Sequence, residues 1–368
     1  MIRNYLKIAI RNLQKQKVLA FINIFGLSTG IACFSLLLLF VLNEFSFDRF
    51  HKNAPNIYRV YALWDQSLWG ISTNPQPPVA YTEYSSLTTS ETLGEAMKED
   101  LPDVVNYVRL QLPWGESLIR TGKKELRAQV GFADQSLFSV FNFPLKYGNT
   151  TTVLHDMNDI VLTESRAKEL FGNDNVVGKI VEIQLGTTFH PFRVSAIAEN
   201  IPSNSTVRFD ILGNFLFIKD FGERNLIIGN NWHPQVRQTY LQLRSGSKLQ
   251  TDANQMDRFV RNFTPPDMFN RMATTKWKKK ELPVTLKLQP LLNIHTDSWF
   301  NGYAFTDYNV IDPKAIWILL EIAGGILLIA CINFTTLAIG RSAGRSKEVG
   351  VRKVIGAAKR QIIFQFLT

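Results

Sequence analysis

The stretch GNDNVVGK (172–179) carries the ingredients of a phosphate-binding loop, two glycines and a closing lysine. Such a loop needs four residues between its glycines, so that backbone N–H groups curl around the phosphates. It also needs a Ser or Thr after the lysine to hold magnesium. Here five residues separate Gly172 from Gly178 and Ile180 follows Lys179, so neither condition is met. The five histidines, at 51, 155, 190, 233 and 295, show no metal-ligand spacing, and only two cysteines, Cys33 and Cys331, accompany them. Neither G-x-S-x-G nor H-E-x-x-H occurs, which removes the nucleophile-elbow and zinc-protease patterns. The residue types that support catalysis, metal binding or cofactor binding therefore form no recognisable constellation.

The distribution of charge is more informative. The chain has 368 residues and a formal net charge of +10, which by itself suits either nucleic acid or an anionic membrane. Of the 41 basic residues, five lie in 1–17 (Arg3, Lys7, Arg11, Lys15, Lys17) and seven in 341–368 (Arg341, Arg345, Lys347, Arg352, Lys353, Lys359, Arg360). Only one of the 31 acidic residues, Glu348, lies in either segment, so 18–340 is left with 29 basic and 30 acidic residues. The excess positive charge sits at two short ends, and no nucleic-acid partner is expected. A composition 45% hydrophobic and 20% charged excludes a disordered chain, and two cysteines exclude a disulfide-stapled scaffold.

Those ends must be positioned by the elements beside them. Val18–Asn43 is 26 residues without a charge, about 39 Å as a helix, enough for a ~30 Å hydrocarbon core. Ala315–Gly340 is a second apolar run, broken only by Glu321. Glu321 lies nearer the outer end, where a side chain snorkelling to the interface competes with a transport role. The first run exceeds a signal-peptide core, and NEFSFDRF follows it in place of a small-residue cleavage pattern. Both runs are therefore predicted as spans, with both basic ends cytoplasmic and 44–314 external. Residues 1–17 form either an amphipathic helix on the inner membrane surface, with Ile2, Leu6, Ala9, Ile10 and Leu13 on one face, or a solvated basic leader. Gly26 and Gly30 in the first span, and Gly324 and Gly325 in the second, are candidate helix-packing positions.

The external segment has no cysteine and must hold together through a core. NIYRVYALW (56–64), ETLGEAMKEDL (91–101) and VVNYVRLQL (104–112) read as strand, helix and strand. RQTYLQLRS (237–245), TDANQMDRFVRNF (251–263) and PVTLKLQPL (283–291) repeat the order, so the two units are predicted to share one sheet as a split βαβ fold. Between them, SLIRTGKKELRAQVGF (117–132) reads as a hairpin around Gly122, then come a Phe-rich stretch, the helix SRAKELFG, and the strands GKIVEIQL and FRVSAIAEN. This predicts a β-rich subdomain at 115–215 inserted in the first. Residues 65–90 read as a loop and WKKK (277–280) as a charged turn.

After the second span, INFTTLAIGRSAGRSKEVGVRKVIGA (332–357) resembles the permeases of FtsX type. There an N-F-x-x-L segment ends the span, and R-S and K-E-[IV]-G-[VI]-R-[KR]-x-x-G-A follow. FADQSLFSVFNFPLKYGN, VLTESRAKELFG, VVGKIVEI and FRVSAIAENIP resemble the MacB-type periplasmic core domain. NYLKIAIRNLQKQK and FSFDRFHKNAPNIYRVY are similar to the same permeases, particularly the tandem forms of the Bacteroidetes. The resemblance covers essentially the whole chain.

It implies an α+β membrane protein of the bacterial inner membrane, multi-pass, with a cytoplasmic N-terminus. Two transmembrane helices would flank a periplasmic Porter-like domain (50–114 and 216–300) with an inserted Sabre-like subdomain (115–215). It implies a non-catalytic permease subunit without cofactor, whose separate ABC ATPase couples ATP hydrolysis to export or extraction of a substrate. Further partners would be a second permease copy or tandem half, membrane lipid and a periplasmic adaptor. The ATPase-docking helix would comprise Lys347, Glu348, Val349, Gly350, Val351, Arg352, Lys353, Ile355 and Gly356; anionic-lipid binding is the competing reading of the same basic run. Family members continue into two further spans, so IIFQFLT (362–368) reads as the start of a third span and the chain as a fragment. A two-span sensor with an external ligand-binding domain shares the layout, although Gly344, Gly350 and Gly356 interrupt the signalling coiled coil it would need.

Overall fold

The computed structural model describes residues 17–65, 83–111, 113, 115–122, 124–224, 237–264, 272, 282–297, 310–344, 350–351 and 354–356. They fall into two units, Met1–Phe45 with Ile311–Thr368, and Ser46–Val310. Of the predicted leader 1–17, residues 1–16 lie outside the described residues and Lys17 is the first residue of a long helix, and the WKKK turn also lies outside them.

In the first unit, helix α1 (Lys17–Glu44) pairs with a second long helix, Pro313–Gly344. Asp312 caps the latter, its Oδ1 accepting the Lys314 N–H at 2.9 Å, with Pro313 in the first turn where no backbone donor is needed. Both helices are apolar around their whole circumference, and large side chains such as Phe21, Leu36, Leu328 and Ile329 stand exposed. Both are long and apolar enough to cross a membrane, over Phe21–Glu44 and Pro313–Leu337. Aliphatic residues exposed on all sides suit a lipid solvent and no aqueous one.

The second unit runs β1 (Ile57–Asp65), β2 (Glu83–Ser86), α2 (Leu93–Asp100), β3 (Val104–Gln111), β4 (Glu116–Thr121), β5 (Lys124–Ala133) and α3 (Leu137–Val140). It continues β6 (Leu145–Tyr147), β7 (Asp159–Thr163), α4 (Glu164–Phe171), β8 (Ile180–Leu185), β9 (Thr188–Ala198), β10 (Ile211–Asn214) and α5 (Phe215–Arg224). It closes with β11 (Arg237–Leu243), α6 (Ala253–Phe263), β12 (Val284–Pro290) and α7 (Leu291–Ile294); the long helix from Pro313 is α8. β2 falls inside the stretch predicted as a loop and pairs with the end of β1.

Four strands lie in the order β3-β11-β1-β12, every neighbouring pair antiparallel. Each βαβ unit is thus split by a strand of the other. One face packs α2 and α6 through Leu93, Met97, Met256, Phe259 and Val260. The alternate residues Ile57, Val108, Leu110 and Tyr240 face the other way, into a core built on Phe138, Phe141 and Phe143.

The inserted strands close on themselves. β5 pairs with β4, β4 with β8, β8 with β9, β9 with β7, β7 with β10, and β10 returns to β5 in parallel. A separate core fills this six-stranded ring with Ile119, Val130, Phe132, Val181, Ile183, Phe192 and Val194. β5 joins the two assemblies: its first residues pair with β4, whereas Phe132 and Ala133 pair with Gln111 and Leu110 of β3. The inserted segment is therefore continuous with the four-stranded sheet.

Candidate functional site

A buried polar arrangement begins immediately after α1, in Ser46–Asn53. Asp48 is fully buried and adopts φ 58, a left-handed backbone that a non-glycine residue holds only where its surroundings compensate. Its N–H donates to the Asn204 carbonyl at 2.9 Å. Its carboxylate accepts the Thr206 N–H at 2.8 Å and the Thr206 hydroxyl. Asn204 Nδ2 donates back to Ser46 Oγ at 2.8 Å and to the Ser46 carbonyl at 3.2 Å. His51 Nδ1 donates to the Phe141 carbonyl, and Asn53 Nδ2 to the Val140 carbonyl and Asn142 Oδ1, each at 3.1 Å. Phe47 stacks flat on His295, ring centres 3.4 Å apart.

Burial pushes the Asp48 carboxyl up to about 6, against the lowering effect of the Thr206 and Ser205 hydrogen bonds. Burial also pushes His51 down to about 4, opposed by its bond to Phe141. Nε2 of His51 and Oδ1 of Asp48 are 3.8 Å apart, yet they form no ion pair of consequence, because desolvation drives both groups toward their neutral forms.

A second polar cluster lies where the inserted segment meets the four-stranded sheet, and its Arg109–Asp134 pair joins the two. Arg109 of β3 holds Asp134 with two bonds of 2.8 and 2.9 Å. Arg237 of β11 pairs with Glu91 at 2.5 Å, and Lys219 of α5 reaches the other oxygen of Glu91 at 3.3 Å. Both guanidinium groups lie over the buried Phe215 ring, 4.2 and 5.1 Å from its centre.

The glycines of GNDNVVGK have structural duties. Gly172, φ 72, ends α4 by donating to the Lys168 carbonyl, and Gly178, φ 86, turns the chain into β8. A phosphate loop would open a helix; this one follows a helix and opens a strand. Among the described residues no cluster of His, Cys, Asp or Glu could hold a metal.

Of the residues assigned to ATPase docking, Gly350 and Val351 are helical, Ile355 N–H donates to the Val351 carbonyl, and Gly356 turns with φ 92. Val351, Val354 and Ile355 are exposed apolar side chains. Lys347, Glu348, Val349, Arg352 and Lys353 lie outside the described residues. In the helix pair, a Cβ on Gly30 would lie 2.4 Å from Ala330 Cβ and one on Gly26 3.4 Å from Asn333 Nδ2. A Cβ on Gly324 or Gly325 would meet no atom within 4 Å, so neither packs against α1.

The family model of the MacB-like periplasmic core domain matches residues 20–259, from the first turns of α1 to α6. The chain belongs to that family. Its MacB-like fold also resembles a domain of a putative permease protein from Porphyromonas gingivalis, with TM-score 0.51 and 18% identity over 65% of this chain and 91% of that one. The periplasmic region of MacB from Actinobacillus actinomycetemcomitans gives TM-score 0.37 and 14% identity over 61% and 95%. The extracellular domain of the ABC-type transporter YknZ from Gram-positive bacteria gives 0.40 and 12% over 64% and 100%. No curated protein matches. The MacB-like domain is flanked by two apolar helices, and β12, which completes its sheet, lies beyond the matched residues.

Sequence reasoning did not find the Ser46–Asn53 cluster. The available signal was a single Asp among the aromatics of FSFDRFH, with the polar run SNST (203–206) as its partner.

Proposed function

We propose that the chain is a permease subunit of an ABC transporter of the inner membrane. Its N-terminus and the coupling segment from 341 face the cytoplasm, 362–368 begin a third span, and 44–314 face the periplasm. The observation that carries this reading is a MacB-like periplasmic core domain between two apolar helices with basic outer ends. Residues 50–114 and 216–300 are read as the Porter-like part and 115–215 as the Sabre-like part. A separate ATPase docks on Lys347–Gly356, where Val351, Val354 and Ile355 offer apolar surface beside Arg352 and Lys353. ATP hydrolysis there moves the periplasmic domain to export or extract a substrate, in a permease dimer or tandem assembly.

The test is to purify the tagged full-length subunit from membranes of its source and identify what accompanies it. A copurifying Walker-A ATPase is expected. Arg352→Glu should leave membrane insertion intact and remove most of that ATPase. Copurification of a histidine kinase in place of an ATPase, or undiminished ATPase with Arg352→Glu, would count against the reading.

A further inference from the structure

Ser46, Asp48, His51 and Asn53 are next to α1 in the chain and precede β1, the first strand of the four-stranded sheet. The hydrogen-bond partners named above nevertheless lie in the inserted segment: Asn204 and Thr206 before β10, Val140 at the end of α3, and Phe141 and Asn142 just after it; Phe47 of the same run stacks on His295, just after α7. The residues they grip lead straight into stiff structure. Thr206 is five residues from β10, which pairs on both edges within the six-stranded ring, and Phe141 and Phe143 are buried in the shared aromatic core. Asp48 holds a strained backbone conformation and is sealed from solvent, so its bonds cannot be replaced by water without opening the site. A surface loop with only a connecting role would be solvated and loosely held.

We propose that the 46–53 clasp makes the inserted segment, ahead of the contiguous four-stranded sheet, the part of the domain that responds to movement of the first apolar helix. The source of that movement rests on the permease reading; the attachment itself does not.

Hydrogen exchange on the full chain in lipid nanodiscs tests the attachment first. With Asn53→Ala and Thr206→Val combined, the amides of Asp48 and Thr206 should exchange about tenfold faster, while those of Val60 and Tyr240 stay unchanged. No acceleration at Asp48 and Thr206, or equal acceleration at all four, overturns the clasp. The second arm adds the copurified ATPase with and without a non-hydrolysable ATP analogue. The wild type should show nucleotide-dependent exchange in the β8–β9 hairpin, and the double variant should lose it. A Ser46→Cys/Asn204→Cys disulfide, built without Cys33 and Cys331, should restore it. A nucleotide response that persists in the double variant overturns the proposal. Absence of any response in the wild type overturns the permease reading instead, and the clasp then stands or falls on the nucleotide-free measurement.

Discussion

Asp48 and His51 titrate against each other in sign. The Asp48 carboxyl, raised from 3.8 to about 6 in the folded chain, binds its proton more tightly than in the unfolded chain. Its contribution to stability is therefore present at low pH and lost as pH rises through 6. His51, lowered from 6.5 to about 4, contributes above pH 6.5, and that contribution is lost as pH falls through 4. Each shift corresponds to about 3 kcal/mol, so between pH 4 and 6 the two slopes nearly cancel. This pair should thus add little pH dependence to thermal unfolding of the wild type across that window. Asp48→Asn should expose the histidine slope, losing stability toward pH 4, and His51→Gln the opposite slope, losing it toward pH 6. Parallel pH profiles for the two variants would refute the assignment.

At the scale of elements, the helix pair follows a seven-residue rhythm. α1 buries Asn23, Gly30 and Glu44, at multiples of seven, together with Val41 three residues before Glu44, and α8 buries Ile316, Ala323 and Ala330. Gly30 meets Ala330 and Phe45 meets Trp317, so the helices run antiparallel, and a strict heptad seam implies a left-handed crossing. Gly30→Leu should separate the pair and lower its melting temperature in detergent by several degrees, whereas Gly324→Leu should change it little. A loss at Gly324 as large as that at Gly30 would show that another helix packs there. Both helices were legible from length and apolarity, and β1, α2, β3, β11, α6 and β12 from alternation and periodicity. β7 was not, because Asp159–Thr163 is buried at every position and presents no alternation. β10 has only four residues, and its pairings with β5 and β7 are long-range. The clasp was invisible for the same reason, since Asp48 and Thr206 are 158 residues apart.

For the whole molecule, the permease reading fixes sides. In a background without Cys33 and Cys331, Lys124→Cys should react with a membrane-impermeant maleimide once the outer membrane is opened. Val354→Cys should react only after the inner membrane is permeabilised; labelling of both under the first condition would invert the topology. The six-stranded ring also constrains how the domain is made. Val130 of β5 and Ile211 of β10 are partners, although most of the inserted segment lies between them in the chain. Ring closure therefore waits until nearly all of that segment has been synthesised and delivered, and contacts of such sequence separation form slowly. Until then β5 and β10 each present an unpaired edge on which the strand of another nascent chain could add. Closing the β5–β10 seam removes these two edges from solvent, and substitutions that weaken that seam should reduce folded yield well before they alter the finished protein.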